Sequence, residues 1–148
     1  MNVEEYISTP RRMRREIENM KSEIAELEST MTSIKSFQVR DGGRGSAQSD
    51  ENIINIIDKM DERRERLREK IEAYASALVA VADFIDTLDN SAERSALNYY
   101  YVQFMSYKDI ATVMFYSERT IYRLISAGIY ALSTGLPETM SLNVSFNV

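Results

Sequence analysis

The stretch Ser106–Leu132, SYKDIATVMFYSERTIYRLISAGIYAL, decides how this chain reads. Ser106 followed by Asp109 resembles a capping box, with Asp where Glu or Gln is usual. It predicts a short helix over Tyr107–Met114, with Ile110, Ala111 and Met114 facing inward. The small side chain of Ala111 lets a second helix cross closely. Phe115 and Tyr116 turn the chain, and Ser117 is placed to cap a second helix whose buried side carries Ile121, Leu124 and Ile125. Counted from Ala111, apolar residues fall at −1, +3, +5, +10 and +13: Ile110, Met114, Tyr116, Ile121 and Leu124. This is the spacing of a helix-turn-helix, whose second helix enters the major groove of DNA by its N-terminal residues. Phe115 stands where such turns usually carry Gly, Asn or Asp, and a positive φ there strains a bulky residue.

The exposed face expected at the start of the second helix holds Glu118, Arg119, Tyr122, Arg123 and Ser126. Arginine forks onto guanine or phosphate, and Tyr and Ser bind phosphate. Glu118 accepts from a cytosine amino group, or simply favours the positive end of the helix dipole. With Ser117 and Lys108 these are the candidate DNA contacts. Against this stands a plain packing pair of helices, since two arginines and a lysine are few for affinity built on phosphate contacts.

Upstream, Leu88-Asp89-Asn90-Ser91 marks a boundary, and Asn90 or Ser91 suits the cap of a helix over Ala92 to about Val102. Tyr99, Tyr100 and Tyr101 are consecutive, so on a helix they fan out and read as packing residues rather than a base-stacking platform. Further upstream lie two heptad seams. From Tyr6 to Phe37 the apolar positions are Met13, Ile17, Met20, Ile24, Leu27, Met31 and Ile34, in alternating steps of 4 and 3. From Glu51 to Leu88 the same steps give Ile53, Ile57, Met60, Arg64, Leu67, Ile71, Tyr74, Leu78, Val81, Ile85 and Leu88. Such steps are the period of a left-handed coiled coil. The linker 39–50, VRDGGRGSAQSD, has Asp50 or Ser49 to cap the second arm, and two seams about it favour an antiparallel helical hairpin.

The expected fold is therefore all-α: a long, coiled-coil-like antiparallel hairpin over 1–90, serving oligomerisation or polymerase contact, then a helix-turn-helix module with a short tail over 91–148. Met20 and Ile24 should pack against 60–75. Arg64 interrupts its seam and is placed to pair with an acid across the hairpin. Residues 73–82, AYASALVAVA, are apolar on several faces and call for cover on more than one side, from the C-terminal module or a second copy. Arg11, Arg12, Arg14 and Arg15 read first as a solvated helix end paired locally with Glu16 and Glu18, second as a phosphate- or polymerase-facing patch. Asp83, Asp86 and Asp89 read as a solvated face rather than a metal site. Gly42-Gly43-x-Gly45 lacks the lysine of a phosphate loop and reads as linker. In the tail, Leu142, Val144, Phe146 and Val148 alternate as a strand does.

Composition narrows the function classes. The 148 residues are 44% hydrophobic and 28% charged, an ordinary globular balance. There is no Cys and no His, which removes thiol nucleophiles, disulfides, the commonest general base and the commonest metal ligands. No catalytic set is visible, no cofactor is implied, and the chain reads as a non-enzyme. No apolar run approaches the ~20 residues of a membrane span, and the N-terminus has no apolar core of a secretory signal. The net charge is −5 but uneven. Residues 51–90 carry ten acids against six bases, net −4, whereas 91–135 carry four bases against three acids, net +1.

The order Ile110-Ala111, then Met114-Phe115-Tyr116-Ser117, then the arginine-bearing helix from Arg119 to Arg123 resembles region 4 of sigma factors. More closely it is similar to the ArpU family of phage regulators and related sigma-like phage proteins. The resemblance covers about 45 residues and departs from the pattern at Phe115 and at Gln103-Phe104-Met105, where relatives usually carry glycine. It implies a DNA-binding activator of late transcription in a phage or prophage of Gram-positive bacteria, working in the host cytoplasm. The expected partners are double-stranded DNA, a second copy as homodimer, and host RNA polymerase, with no membrane. Two other readings stand beside it: a small terminase subunit of phage packaging, and a coiled-coil adaptor without DNA binding.

Overall fold

The computed structural model describes residues 1–40 and 47–135, with side chains for 1–36 and 51–135. Every regular element among them is helical: α1 (Val3–Ile7), α2 (Thr9–Arg40), α3 (Ala47–Ile85), α4 (Ser91–Leu97), a π-helical turn π1 (Asn98–Val102), α5 (Tyr107–Met114) and α6 (Glu118–Thr134). The protein is thus all-α among the described residues, and no helix there is long and apolar enough to cross a membrane. The glycines of the expected linker and the alternating tail lie outside the described residues.

Several boundaries correct the sequence reading. The first helical segment begins at Val3 rather than Tyr6 and is broken at Ser8. Asn2 and Glu5 close a full capping box, Glu5 N donating to Asn2 Oδ1 at 2.8 Å and Asn2 N to Glu5 Oε2 at 3.1 Å. Pro10 sits in the first turn of α2, where its missing N–H costs nothing. The linker is shorter than expected: α2 runs to Arg40, and α3 starts at Ala47, so Ser49 and Asp50 lie inside the helix instead of capping it. Extending a formed helix gains a backbone bond for each residue fixed, so helices advance into polar flanks.

The chain divides into two compact units, Arg15–Glu72 and Met1–Arg14 with the described part of Ala73–Val148. In the second of these, α6 packs against α4, α5 and α1. The core gathers Val3 and Ile7 of α1, Val81 and Ile85 of α3, Leu97 of α4, and Ile110 and Ile121 of α5 and α6. Ile7, Ile85, Leu97, Ile110 and Ile121 are fully buried. Asn90, not Ser91, caps α4, accepting from the N–H groups of Ala92 and Glu93, both at 3.0 Å. Within 73–82, Val81 belongs to this core and Ala77 is fully buried, whereas Val79 is 62% exposed and is not covered among the described residues.

One close approach fixes how α4 and α6 meet. A Cβ added at Gly128 would lie 2.8 Å from Leu97 Cδ1 and 3.2 Å from Leu97 Cγ. Only glycine lets the α6 backbone come this near.

In the unit Arg15–Glu72, Ile17, Ile24, Met31 and Met60 are buried, and Met20, Leu27, Ile34, Ile53, Ile56 and Leu67 are half-buried. Three ion pairs join α2 to α3: Glu16 with Lys70, Glu23 with Arg63 at 2.6 Å, and Glu28 with Arg64 at 2.7 Å. Numbers that rise along α2 fall or stall along α3, so the two helices run in opposite senses here. The expected pairing of Arg64 is present, although the side chain is about half exposed rather than in the seam. The seam itself is displaced by one residue at two positions: Ile57 and Ile71 are each 40% exposed, while Ile56 and Lys70 turn inward. The Lys70 side chain is only 12% exposed and delivers its ammonium to Glu16, as long cations with buried stems do. Glu16 therefore pairs with Lys70 and Glu18 with Lys21, not with the arginines that precede them.

Candidate nucleic-acid interface

The local sequence builds α5 and α6 as two short amphipathic helices with their own caps. Ser106 accepts from Asp109 N at 3.2 Å, the backbone half of the expected box. Ser117 accepts from Thr120 N at 3.2 Å and opens α6. Between them Phe115 takes φ 59° and ψ 38°, in the left-handed region, and Tyr116 N donates back to Ala111 O at 3.1 Å. A phenylalanine held there costs about 1–2 kcal/mol. Its ring recovers none of that by burial, being 93% exposed.

Of the apolar positions that suggested this arrangement, Ile110 and Ile121 are fully buried, and Met114 and Leu124 are half-buried against the core. Tyr116 departs from the expectation: it is 46% exposed, because the left-handed turn at Phe115 carries the chain outward before α6 begins.

On α6 the two faces separate cleanly. Ile121, Ile125, Gly128 and Leu132, in steps of 4, 3 and 4, are buried. Glu118, Arg119, Tyr122, Arg123 and Ser126 are exposed, as are Ser117 at the cap and Lys108 on α5. Arg119, Tyr122, Arg123 and Ser126 fall at i, i+3, i+4 and i+7, one stripe of the helix. Among the described residues no carboxylate pairs with Lys108, Arg119 or Arg123, so their donors face solvent.

Tyr122 is tied to an aromatic column that residue order alone did not suggest. Its ring is 6.4 Å from that of Tyr107, which stacks on Tyr100 at 4.9 Å and 22°. Tyr100 also meets Tyr101 edge-on at 4.8 Å. Tyr101 is buried, as expected of a packing residue, and Tyr99 and Tyr100 pack partly against the core. Burial, the leading cause, raises the phenol pKa of Tyr101 and Tyr107 above the ordinary value. The column ends on Arg11, whose guanidinium lies 4.4 Å from the Tyr100 ring centre and donates to the Tyr100 carbonyl at 2.9 Å. Arg11 is thus not part of a solvated helix end. A basic residue 89 positions from a tyrosine in sequence gives no local signal of such a contact, whereas the Asn2-x-x-Glu5 spacing was a readable sign of α1.

No protein-family model, no curated protein and no solved structure matches this chain.

Proposed function

We propose that the protein is a DNA-binding transcription regulator in which α5, the Phe115 turn and α6 act as a helix-turn-helix, in a chain that also carries an antiparallel helical hairpin. The observation that carries the reading is the stripe on α6: Arg119 and Arg123 lie exposed and, among the described residues, without carboxylate partners on one face, while the opposite face is anchored by Ile121 and Ile125. A rigidly held helix with a free arginine pair near its start has the chemistry to fork onto guanine and to grip phosphate. In this reading Arg123, further along the helix, contacts bases, and Arg119, next to the cap, holds backbone. Ser117, Glu118, Tyr122, Ser126 and Lys108 complete the interface.

The sigma-like resemblance of the same residues makes a phage or prophage late-gene activator, acting in the bacterial cytoplasm, the specific form of the proposal. A homodimer on a repeated half-site accounts for the apolar surface left open at Val79, and the helical hairpin is available for host RNA polymerase.

Arg119→Ala and Arg123→Ala, each titrated against selected and scrambled duplexes after genome-wide capture, test the reading. Loss of the base-contacting arginine should cost about 1–3 kcal/mol of discrimination, or roughly 5- to 150-fold. Wild-type affinity in both variants, with helical content unchanged, would remove DNA from the function and leave an adaptor built on the hairpin.

A further inference from the structure

Four arginines open α2, and the structure separates the roles of three of them, Arg11, Arg12 and Arg14, which share one compact unit. Arg11 is half-buried, satisfied by the Tyr100 carbonyl and by the faces of Tyr100 and Phe104, the latter at 5.6 Å. Its Nε is buried without a hydrogen-bond partner. Arg12 donates to Thr9 Oγ1 and borders the same shallow cleft as Glu4 and Glu5, so two acids offset its charge. Arg14 is different. Its guanidinium lies 4.7 Å from the Phe104 ring centre, the residue is exposed, and no carboxylate pairs with it among the described residues.

Phe104 is itself held in the left-handed region, at φ 57°. A strained bulky residue persists where its surroundings over-determine it, and such strain gathers at binding sites. Here the strained backbone presents one aromatic ring to two guanidinium groups. Arg11 brings a second guanidinium to the same ring, and among the described residues no ion pair joins either arginine to a carboxylate, so two positive charges close together favour an anion beside the exposed Arg14.

The arrangement is on the same compact unit as α6. From Arg14 the steps run to Phe104, Arg11, Tyr100, Tyr107 and Tyr122, and none exceeds 6.4 Å. Even laid straight, five such steps are shorter than one duplex turn of about 34 Å. Arg14 therefore lies less than one duplex turn from Tyr122.

We infer that Arg14, seated on Phe104, is a second anchor for the phosphodiester backbone, separate from the α6 stripe and without sequence preference. The inference rests on the reading of α6 as a DNA-binding helix. It assigns to Arg11 and Phe104 the role of positioning residues, and to Arg12 no contact.

The test is the salt dependence of binding to a mixed-sequence duplex of about three turns, measured for wild type, Arg14→Gln, Arg14→Lys and Arg12→Gln. Each phosphate neutralised contributes about 0.9 to the slope of log K against log salt. Arg14→Gln should lower that slope by about 0.9, so that counterion release alone makes binding about 15-fold weaker at 50 mM salt and about fourfold weaker at 200 mM. The loss should be equal on unrelated sequences, since phosphate contacts carry no base information. Arg14→Lys should restore the slope, and Arg12→Gln should leave it unchanged. A wild-type slope in Arg14→Gln, while Arg119→Ala weakens binding, overturns this inference alone. No binding of the wild-type chain to duplex at 50 mM salt overturns the DNA reading of α6 and this inference together.

Discussion

Replacing Gly128 by alanine should destabilise the protein, against the usual direction for glycine in the middle of a helix. Gly128 lies inside α6, where alanine normally gains about 0.8–1.0 kcal/mol of helix propensity. The added Cβ would sit 2.8 Å from Leu97 Cδ1, 3.2 Å from Leu97 Cγ and 3.5 Å from Glu93 Cβ. Carbon atoms pack best at about 3.5–4.0 Å, so two of the three contacts are too short. Leu97 is fully buried and cannot swing into solvent, so α4 and α6 must move apart. Overpacking of this kind costs about 1–3 kcal/mol, which leaves a net loss of about 1 kcal/mol after the propensity gain. For a chain of this size that lowers Tm by about 2–4 °C. Leu97→Ala should cost about 2–5 kcal/mol on its own. In that background the clash is gone, and Gly128→Ala should become stabilising by about 1 kcal/mol, so the sign of one substitution depends on the other. Urea titrations of the wild type, both single variants and the double variant measure the cycle. Equal stabilisation by Gly128→Ala in both backgrounds would show that the close approach of α4 and α6 does not constrain this position.

Phe115→Gly should raise stability by about 1 kcal/mol, because it relieves a left-handed phenylalanine whose ring is 93% exposed; calorimetry that finds the variant less stable would place an energetic role on the ring. Asn90→Ala should cost about 1 kcal/mol in the same assay, since one side chain caps two N–H groups of α4. In alkaline titration followed by phenolate absorbance, Tyr101 and Tyr107 should ionise later than the exposed tyrosines. Their folded-state pKa is raised, so the neutral phenol is favoured by folding. That contribution to stability is complete below about pH 10 and is lost as pH rises through the folded-state values. Simultaneous ionisation of all nine tyrosines near pH 10 in the folded protein would contradict the burial of Tyr101.

What the sequence determined by itself was whatever depends on near neighbours along the chain. Spacing alone identified the buried line Met13, Ile17, Ile24 and Met31, because a helix repeats its face every three or four residues whatever it packs against. The caps Ser106 and Ser117 were readable because a cap and the N–H it satisfies are at most three residues apart. The inward set of α5 and α6 and the separation of Arg119 and Arg123 from Ile121 and Ile125 followed from the same geometry. Tyr116 was the exception, since the direction of the chain after Phe115 depends on one backbone dihedral that side-chain identity argued against.

Tertiary structure decided what distant residues share. Ile56 and Lys70 are more buried than the seam positions Ile57 and Ile71, and Arg64 takes Glu28 of α2 as its partner, choices set by the facing helix rather than by spacing. Val3, Tyr6 and Ile7 joined a core whose other members begin at Val81, and Gly128 met Leu97 across two helices. Arg11 found Tyr100 across 89 residues. Periodicity fixes which face of a helix is apolar, but the partner of that face is chosen by close packing among all the elements at once, and that choice placed two arginines on Phe104.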